Sequence, residues 1–225
     1  MSTHVAAVIV AAGSSTRMGM PKMLLPLNGK PVIVHTLLAF QSCTAIDEIV
    51  LVTRAEDVDL MRELAANNGI GKLTSVVPGG DSRQYSVANG VRVCRADTAY
   101  FAIHDGARPL VSVACIESVI RAAQRDGAAA AAVRVKDTIK VADADGFIQD
   151  TPDRETLWSV QTPQTFERGV YLRAIEHMEA TGLQVTDDCR MVEAIGYPVR
   201  LVEGEYTNLK ITTPEDICTA EGWLR

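Results

Sequence analysis

Two cations beside a loop of small residues are the first chemistry this chain offers. Ala11-Ala12-Gly13-Ser14-Ser15-Thr16-Arg17-Met18-Gly19-Met20-Pro21-Lys22 follows directly on the apolar run Val5–Val10. Small residues at a strand end leave backbone N–H groups uncovered to cradle phosphate oxygens, and Arg17 and Lys22 add positive charge. The arrangement points to an anionic, phosphate-bearing ligand. An ordinary strand-to-helix turn with two solvated cations would fit these residues too. Two other glycine loops are excluded by spacing. Gly13 is followed by Ser14 and Ser15, which breaks G-x-G-x-x-G, and Gly19 is followed by Met20 where a P-loop needs lysine.

Further chemistry-bearing residues lie downstream. Asp105 ends the apolar run Tyr100–His104, at the strand end where open parallel sheets bind ligands. A carboxylate there suits Mg²⁺ beside substrate phosphates, or caps its own turn. Arg108, three residues on, either meets a substrate phosphate or pairs with Asp105. Asp81, Ser82, Arg83 and Ser86 open a helix whose positive end favours anions, and capping alone would account for Asp81. Lys210 stands between Leu209 and Ile211, as a paired cation or an outward-facing strand lysine. The four histidines form no metal-ligand pattern, and the five cysteines show no paired spacing, so they read as reduced thiols.

Strand-like runs alternate with helical ones, which predicts an α/β fold with a mostly parallel sheet covered on both faces. Strands are expected at Val5–Val10, Glu48–Val52, Thr74–Val77, Tyr100–His104, Ala128–Val135 and Val199–Val202. Helices are expected from Pro31 to Gln41, Asp57 to Asn67, Asp81 (as N-cap) to Arg95 and Val113 to Arg125. Others follow from Arg168 to Ala180, Thr186 to Ile195, and onward from Pro214. Ile139–Val141 and Phe147–Gln149, flanking an Asp145-Gly146 turn, read as a hairpin that interrupts the rhythm. The expectation is one domain over residues 1–225 with a protruding β-hairpin arm at about 137–158.

A net charge of −6 argues against a nucleic-acid partner, but a local cationic pocket is compatible with it. No apolar run reaches the ~20 residues that span a bilayer. Met1-Ser2-Thr3-His4 lacks the head of a signal peptide, so a cytoplasmic protein without membrane contact is expected.

The pattern A-A-G-x-x-x-R-M-G-x-P-K, with Leu24-Leu25-Pro26-Leu27 and Gly29-Lys30-Pro31, resembles the signature of sugar-nucleotide pyrophosphorylases and cytidylyltransferases. Gly79-Gly80-Asp81-Ser82-Arg83-Gln84-Tyr85-Ser86-Val87, His104-Asp105-Gly106-Ala107-Arg108-Pro109 and Lys136-Asp137-Thr138-Ile139-Lys140 follow in order. So do Thr162-Pro163-Gln164, Thr186-Asp187-Asp188 and Asn208-Leu209-Lys210-Ile211-Thr212. Together they resemble the 2-C-methyl-D-erythritol 4-phosphate cytidylyltransferase family of the non-mevalonate isoprenoid pathway, over essentially the whole chain.

The resemblance implies a Rossmann-like three-layer domain and a Mg²⁺-dependent reaction. CTP and methylerythritol phosphate would give 4-diphosphocytidyl-2-C-methyl-D-erythritol and pyrophosphate, through in-line attack of the acceptor phosphate on the α-phosphate. It implies Arg17, Lys22 and Lys210 as catalytic cations on the triphosphate. Ala11, Ala12, Gly13, Gly80, Asp81 and Ser86 would surround the cytosine and ribose. Asp105 would hold the metal and, with Arg108, Thr138, Arg154, Thr162, Thr186 and Asp187, shape the acceptor pocket. Arg154 would cross a homodimer interface to the neighbouring site. A ribitol 5-phosphate cytidylyltransferase is the nearest rival, and a uridylyl- or guanylyltransferase fits the later motifs less well. A non-catalytic nucleotide-binding regulator is disfavoured because Arg17, Lys22 and Asp105 are all present.

Overall fold

The computed structural model describes residues 3–13 and 21–224. In chain order the elements are β1 (Val5–Val10), β2 (Pro26–Leu27), β3 (Lys30–Pro31), α1 (Val32–Ser42), β4 (Glu48–Thr53), α2 (Val58–Asn67) and β5 (Leu73–Pro78). Then come α3 (Arg83–Arg92), β6 (Tyr100–Asp105), α4 (Val113–Asp126), β7 (Ala128–Arg134), β8 (Val141–Ala142) and β9 (Ile148–Asp150). The chain ends with β10 (Trp158–Glu167), α5 (Arg168–Thr181), α6 (Asp188–Ala194), β11 (Arg200–Glu203) and α7 (Pro214–Trp223).

Seven strands form one sheet in the order β11-β7-β10-β6-β1-β4-β5. Every pairing is parallel except those of β10, which runs antiparallel to β6 and β7. Alternate residues of β1 explain the layers. Val5, Ala7 and Ile9 pack with α1, α2 and α4, whereas Ala6 and Val8 face α3, α5 and α6. A strand buried on both faces must be apolar throughout, and β1, β4 and β7 are nearly so. This is the Rossmann-like three-layer arrangement expected from the alternating pattern. Among the described residues no helix is long and apolar enough to cross a membrane.

Helix ends are set by local chemistry. Ser112 caps α4 by accepting from the Cys115 N–H, and Gly127, at φ +82°, closes it in the left-handed region. Thr213 and Asp216 form a capping box for α7, with Pro214 at its first turn. Gly90 lets α3 lie close on the sheet. A Cβ there would stand 2.5 Å from Val8 Cγ1 and 2.7 Å from Val52 Cγ2, both on stiff strand valines. Gly90→Ala is therefore expected to lower stability by about 1–2 kcal/mol, because overpacking outweighs the roughly 1 kcal/mol that helix propensity returns. An unchanged urea midpoint would show that the sheet yields instead.

The structure departs from the sequence reading at five points. Asp81 does not cap the third helix; Ser82, extended at φ −143°, does so by accepting from the Tyr85 N–H, which leaves the Asp81 carboxylate unengaged by the cap. That helix stops at Arg92, and the Arg95 N–H turns instead to Glu48 Oε2 at 3.1 Å. The helix expected from Thr186 starts at Asp188, with Asp187 as its cap. The sequence pattern does not predict strand β10; its buried residues include Gln161, Thr162, Gln164 and Thr165, which lack an apolar signature. A small hairpin, β2–β3, also went unread; Asn28 (φ +48°) and Gly29 (φ +80°) form its two-residue turn.

Between β7 and β10 the chain leaves the sheet, and β8 and β9 pair only with each other. This is the protruding arm. Its tip residues Phe147 and Ile148 are 70% and 62% exposed.

Candidate active site

Strands β4 and β6 lie on opposite sides of β1, so the sheet reverses its winding at the carboxyl end of β1, where open α/β sheets bind ligands. A cavity of about 410 Å³ opens there. Ala12 and Gly13 border it from the loop after β1, Gly80, Asp81, Ser82, Arg83 and Ser86 from the α3 entrance, and Asp105 from β6, together with Lys22 and Lys210. A second cavity of about 140 Å³ adjoins it, bordered by Arg108, Gln161, Thr162, Gln164, Thr186 and Asp187. Arg83, Asp105 and Lys210 border both cavities. They form the seam between the two.

Packing brings the loops together. A Cβ on Gly79 would lie 2.5 Å from Ala12 Cβ and 2.8 Å from Ser86 Oγ, so only glycine lets the loop after β5 reach the loop after β1. The Ser86 hydroxyl then receives the Gly80 N–H at 3.0 Å and donates to Ser82 O at 2.9 Å, which ties the Gly79–Gly80 turn to α3. Lys22 follows Pro21 in a 3₁₀ turn, and its ammonium donates to Ile211 O at 3.1 Å. That bond joins the first loop to the segment carrying Lys210.

Asp105 is the electrostatic centre. Its Oδ2 receives Lys210 Nζ at 2.8 Å and faces Arg108 Nε at 3.7 Å, while Oδ1 faces Arg83 Nη2 at 3.3 Å. Burial works to raise this carboxyl, but the charges of Arg83, Lys210 and Arg108, with the Lys210 hydrogen bond, hold it below the ordinary carboxylate range. Asp105 is therefore an anion at any working pH. Burial works to lower the Arg83 guanidinium, and Asp188 and Asp105 more than reverse that. Arg108 Nη1 donates to Asn208 O at 2.7 Å, whereas its buried Nε has no hydrogen-bond partner.

Behind Asp105, His104 and Thr162 fix the strand end. A backbone carbonyl only accepts, so His104 Nε2 carries the proton toward Arg108 O (3.3 Å), and Nδ1 accepts from the Thr162 hydroxyl (3.0 Å). Thr162 Oγ1 in turn accepts from the Asp105 N–H at 3.0 Å. The β10–β7 pairing is irregular between Val160 and Gln164, and that break aims Thr162 and Gln164 into the site.

Burial pushes the His104 imidazole down to about 3, against the opposing pull of Asp105. The unfolded chain takes up this proton near pH 6.5 while the folded one refuses it, so stability is full above 6.5 and falls as pH drops towards 3. In metal-free buffer, moving from pH 7 to pH 5 is expected to remove about 2 kcal/mol through this group. Urea unfolding at both pH values should show that dependence flattened in His104→Gln; an equal slope in the variant would assign it elsewhere.

The sequence-predicted residues distribute unevenly. Lys22, Lys210, Ala12, Gly13, Gly80, Asp81, Ser86 and Asp105 border the larger cavity, and Asp105, Arg108, Thr162, Thr186 and Asp187 border the smaller. Arg17 lies outside the described residues. Ala11 is buried and its N–H is already bonded to Val52 O at 2.7 Å, so it offers no amide donor to a base. Thr138 and Arg154 are exposed within the arm and border neither cavity; Arg154 Nη1 donates to Lys136 O at 3.0 Å. Gln161, Gln164 and Asn208 were not singled out. Asn208 Nδ2 donates to Thr162 O at 2.8 Å and Gln161 Oε1 at 3.2 Å. The N-L-K-I-T run contains Asn208, but only its lysine was legible as chemistry.

Comparison with known proteins agrees with this geometry. The family model described as 2-C-methyl-D-erythritol 4-phosphate cytidylyltransferase matches residues 5–225. A protein of that name from Caldanaerobacter subterraneus subsp. tengcongensis is 48% identical over 99% of both chains. One from Desulforamulus reducens is 46% identical over 99% of this chain and 96% of its own. Among solved structures, the 4-diphosphocytidyl-2C-methyl-D-erythritol synthase of Anaerococcus prevotii superposes with a TM-score of 0.89 at 33% identity, covering 98% of this chain and 96% of its own. The Thermus thermophilus cytidylyltransferase gives 0.79 at 33% identity over 98% of each chain. With the match running from the first strand to the last helix, this chain belongs to the 2-C-methyl-D-erythritol 4-phosphate cytidylyltransferase family.

Proposed function

We propose that this protein transfers the cytidylyl group of CTP to 2-C-methyl-D-erythritol 4-phosphate, giving 4-diphosphocytidyl-2-C-methyl-D-erythritol and pyrophosphate. The observation that carries this reading is the pair of cavities meeting at Arg83, Asp105 and Lys210. A large chamber for a nucleotide and a small one for a phosphorylated polyol share a cationic seam, where two anions must be brought together.

The cytosine and ribose take the chamber between Ala12–Gly13 and Gly80–Ser86, and backbone groups of Ala12 and Gly13 read the base edge. Lys22 and Lys210 face the triphosphate, with Arg17 as a third cation. The acceptor phosphate oxygen attacks the α-phosphorus in line as the bond to the leaving pyrophosphate breaks. Fixed cations hold the charge that grows on the α-phosphate oxygens, and no solvent has to reorganise as they do so. Arg108, Thr162, Thr186 and Asp187 hold the polyol. Arg154, exposed within the arm, completes the phosphate site of a partner subunit in a homodimer, and each chain acts as one unit with its arm.

Family enzymes are nucleotidyltransferases that commonly use a divalent metal, and the residues present fit Mg²⁺ in a restricted way. Among the described residues no group of three His, Cys, Asp or Glu side chains could hold an ion unaided. Asp105, ionised at the seam, would hold such an ion beside the substrate phosphates. When bound, such an ion offsets triphosphate charge. The five free cysteines suit the cytoplasm, where CTP is made available.

Pyrophosphate release with CTP and Mg²⁺ tests the reading, with methylerythritol phosphate and ribitol 5-phosphate compared side by side. Release with the first alone is expected. Release with ribitol phosphate alone would keep the mechanism and overturn the acceptor, and silence with both in a protein that binds CTP would overturn the transfer.

A further inference from the structure

Arg83 borders both cavities, yet the transfer described above gives it no task. It is gripped from behind by a buried chain of polar groups. Tyr171 on α5 is fully buried, with the Phe166 ring stacked on it at 4.8 Å, and its hydroxyl donates to Asp188 Oδ1 at 2.6 Å. Asp188, 1% exposed, receives Arg83 Nη1 on its other oxygen at 2.7 Å. Gln164 Oε1 accepts from the Asp188 and Cys189 N–H groups, both at 3.1 Å, and pins the start of α6. The remaining edge of Arg83 faces Asp105 Oδ1, whose partner oxygen holds Lys210.

A buried carboxylate is costly unless paired, and apolar residues of the same size would serve a core as well or better. Here the pair leaves one edge of a guanidinium aimed out of the core at the seam. The charges are informative too. Arg83, Arg108 and Lys210 against Asp105 and Asp188 leave one net positive charge, and loss of Asp188 would leave two and free Arg83 to turn. A planar guanidinium forked between two carboxylates has its direction set by both.

We propose that Tyr171 and Asp188 are positioning residues for the acceptor half of the reaction. They fix the plane of Arg83, and Arg83 fixes Asp105 and Lys210 where the acceptor phosphate meets the nucleotide. This rests on the transferase reading given above. Asp187, beside Asp188, borders the smaller cavity, and Gln164 Nε2 donates to its Oδ2 at 3.2 Å. A loosened Asp188 therefore disturbs the acceptor side first. The nucleotide chamber away from the seam, at Ala12, Gly13, Gly80 and Ser86, is untouched.

The test is steady-state kinetics of the full chain with Tyr171→Phe, Asp188→Asn and the double variant, beside wild type. Calorimetric CTP affinity and urea unfolding are measured on each. Tyr171→Phe removes one oxygen and keeps the ring stack, so it reports even if Asp188→Asn folds poorly. Each variant is expected to lose roughly tenfold or more in kcat/KM for the acceptor, the scale of a charge-assisted hydrogen bond. CTP affinity should fall by a smaller factor than acceptor kcat/KM, because only the triphosphate end of the nucleotide meets the seam, and the double variant should be no worse than Asp188→Asn alone, as for groups acting in one chain. Unchanged acceptor kinetics, losses that multiply in the double variant, or losses that track only the folded fraction would overturn the positioning role. A wild-type protein silent with every acceptor would instead overturn the transferase reading, and the acceptor role with it.

Discussion

Lys210→Met is expected to lower kcat by about 10²–10³-fold, the scale of removing one preorganised group that stabilises transition-state charge. Methionine keeps the stem between Leu209 and Ile211 and removes only the charge. The ammonium lies 2.8 Å from Asp105 Oδ2 at the seam of the two cavities, so the anion it stabilises best is the one formed as the phosphates join. The fold should hold within about 1 kcal/mol, because the lysine side chain is 39% exposed and Asp105 keeps Arg83 and Arg108. Pyrophosphate release at saturating CTP and acceptor measures the effect. The loss should sit in kcat, with a smaller rise in KM for CTP, since uniform binding would move KM alone. A variant with wild-type kcat would leave Lys210, in the irregular segment between β11 and α7, only as a partner of Asp105.

The parts of this site that were legible in the sequence are those whose chemistry is local. β1 and its loop announce themselves because a strand buried on both faces must be apolar and a phosphate loop must be small. Asp105 stands out because a carboxylate ends an apolar run. Arg83 was seen only as part of a helix entrance. Its meaning depends on Asp188, 105 residues away, and no spacing rule links the two. Tyr171 likewise reads as a core aromatic on a helix, since nothing local shows where its hydroxyl finds a partner.

Strand β10 failed for a related reason. Val160-Gln161-Thr162-Pro163-Gln164-Thr165 is polar and holds a proline, which in a sheet interior argues against a strand. It is a strand because its polar side chains are buried by bonds to His104, Asp105, Asn208 and the start of α6. The rule that buried strands are apolar breaks at the functional end of the sheet, where polar groups must be rigid. Misplacing the α3 cap by one residue was a smaller error with a chemical consequence. With Ser82 as the cap, Asp81 is released to the larger cavity.

Arg154→Ala is expected to weaken acceptor use by roughly 10- to 100-fold, the scale of a lost charge-assisted contact to phosphate. The decisive experiment is to mix it with Lys210→Met and reassort the subunits. Arg154 borders neither cavity of its own chain, and the arm that carries it exposes Phe147, Ile148 and Val141, a set of apolar side chains that a partner surface would cover. In a two-fold dimer whose sites each draw Lys210 from one chain and Arg154 from the other, a mixed dimer carries one intact site and one doubly damaged site. Random reassortment makes half of the dimers mixed, so about a quarter of wild-type activity should return from two nearly inactive proteins. If Arg154 served its own chain, each site in the mixture would keep one defect and no activity would return. Recovery therefore separates a shared site from a merely dimeric protein, which a sedimentation or scattering measurement of mass would not.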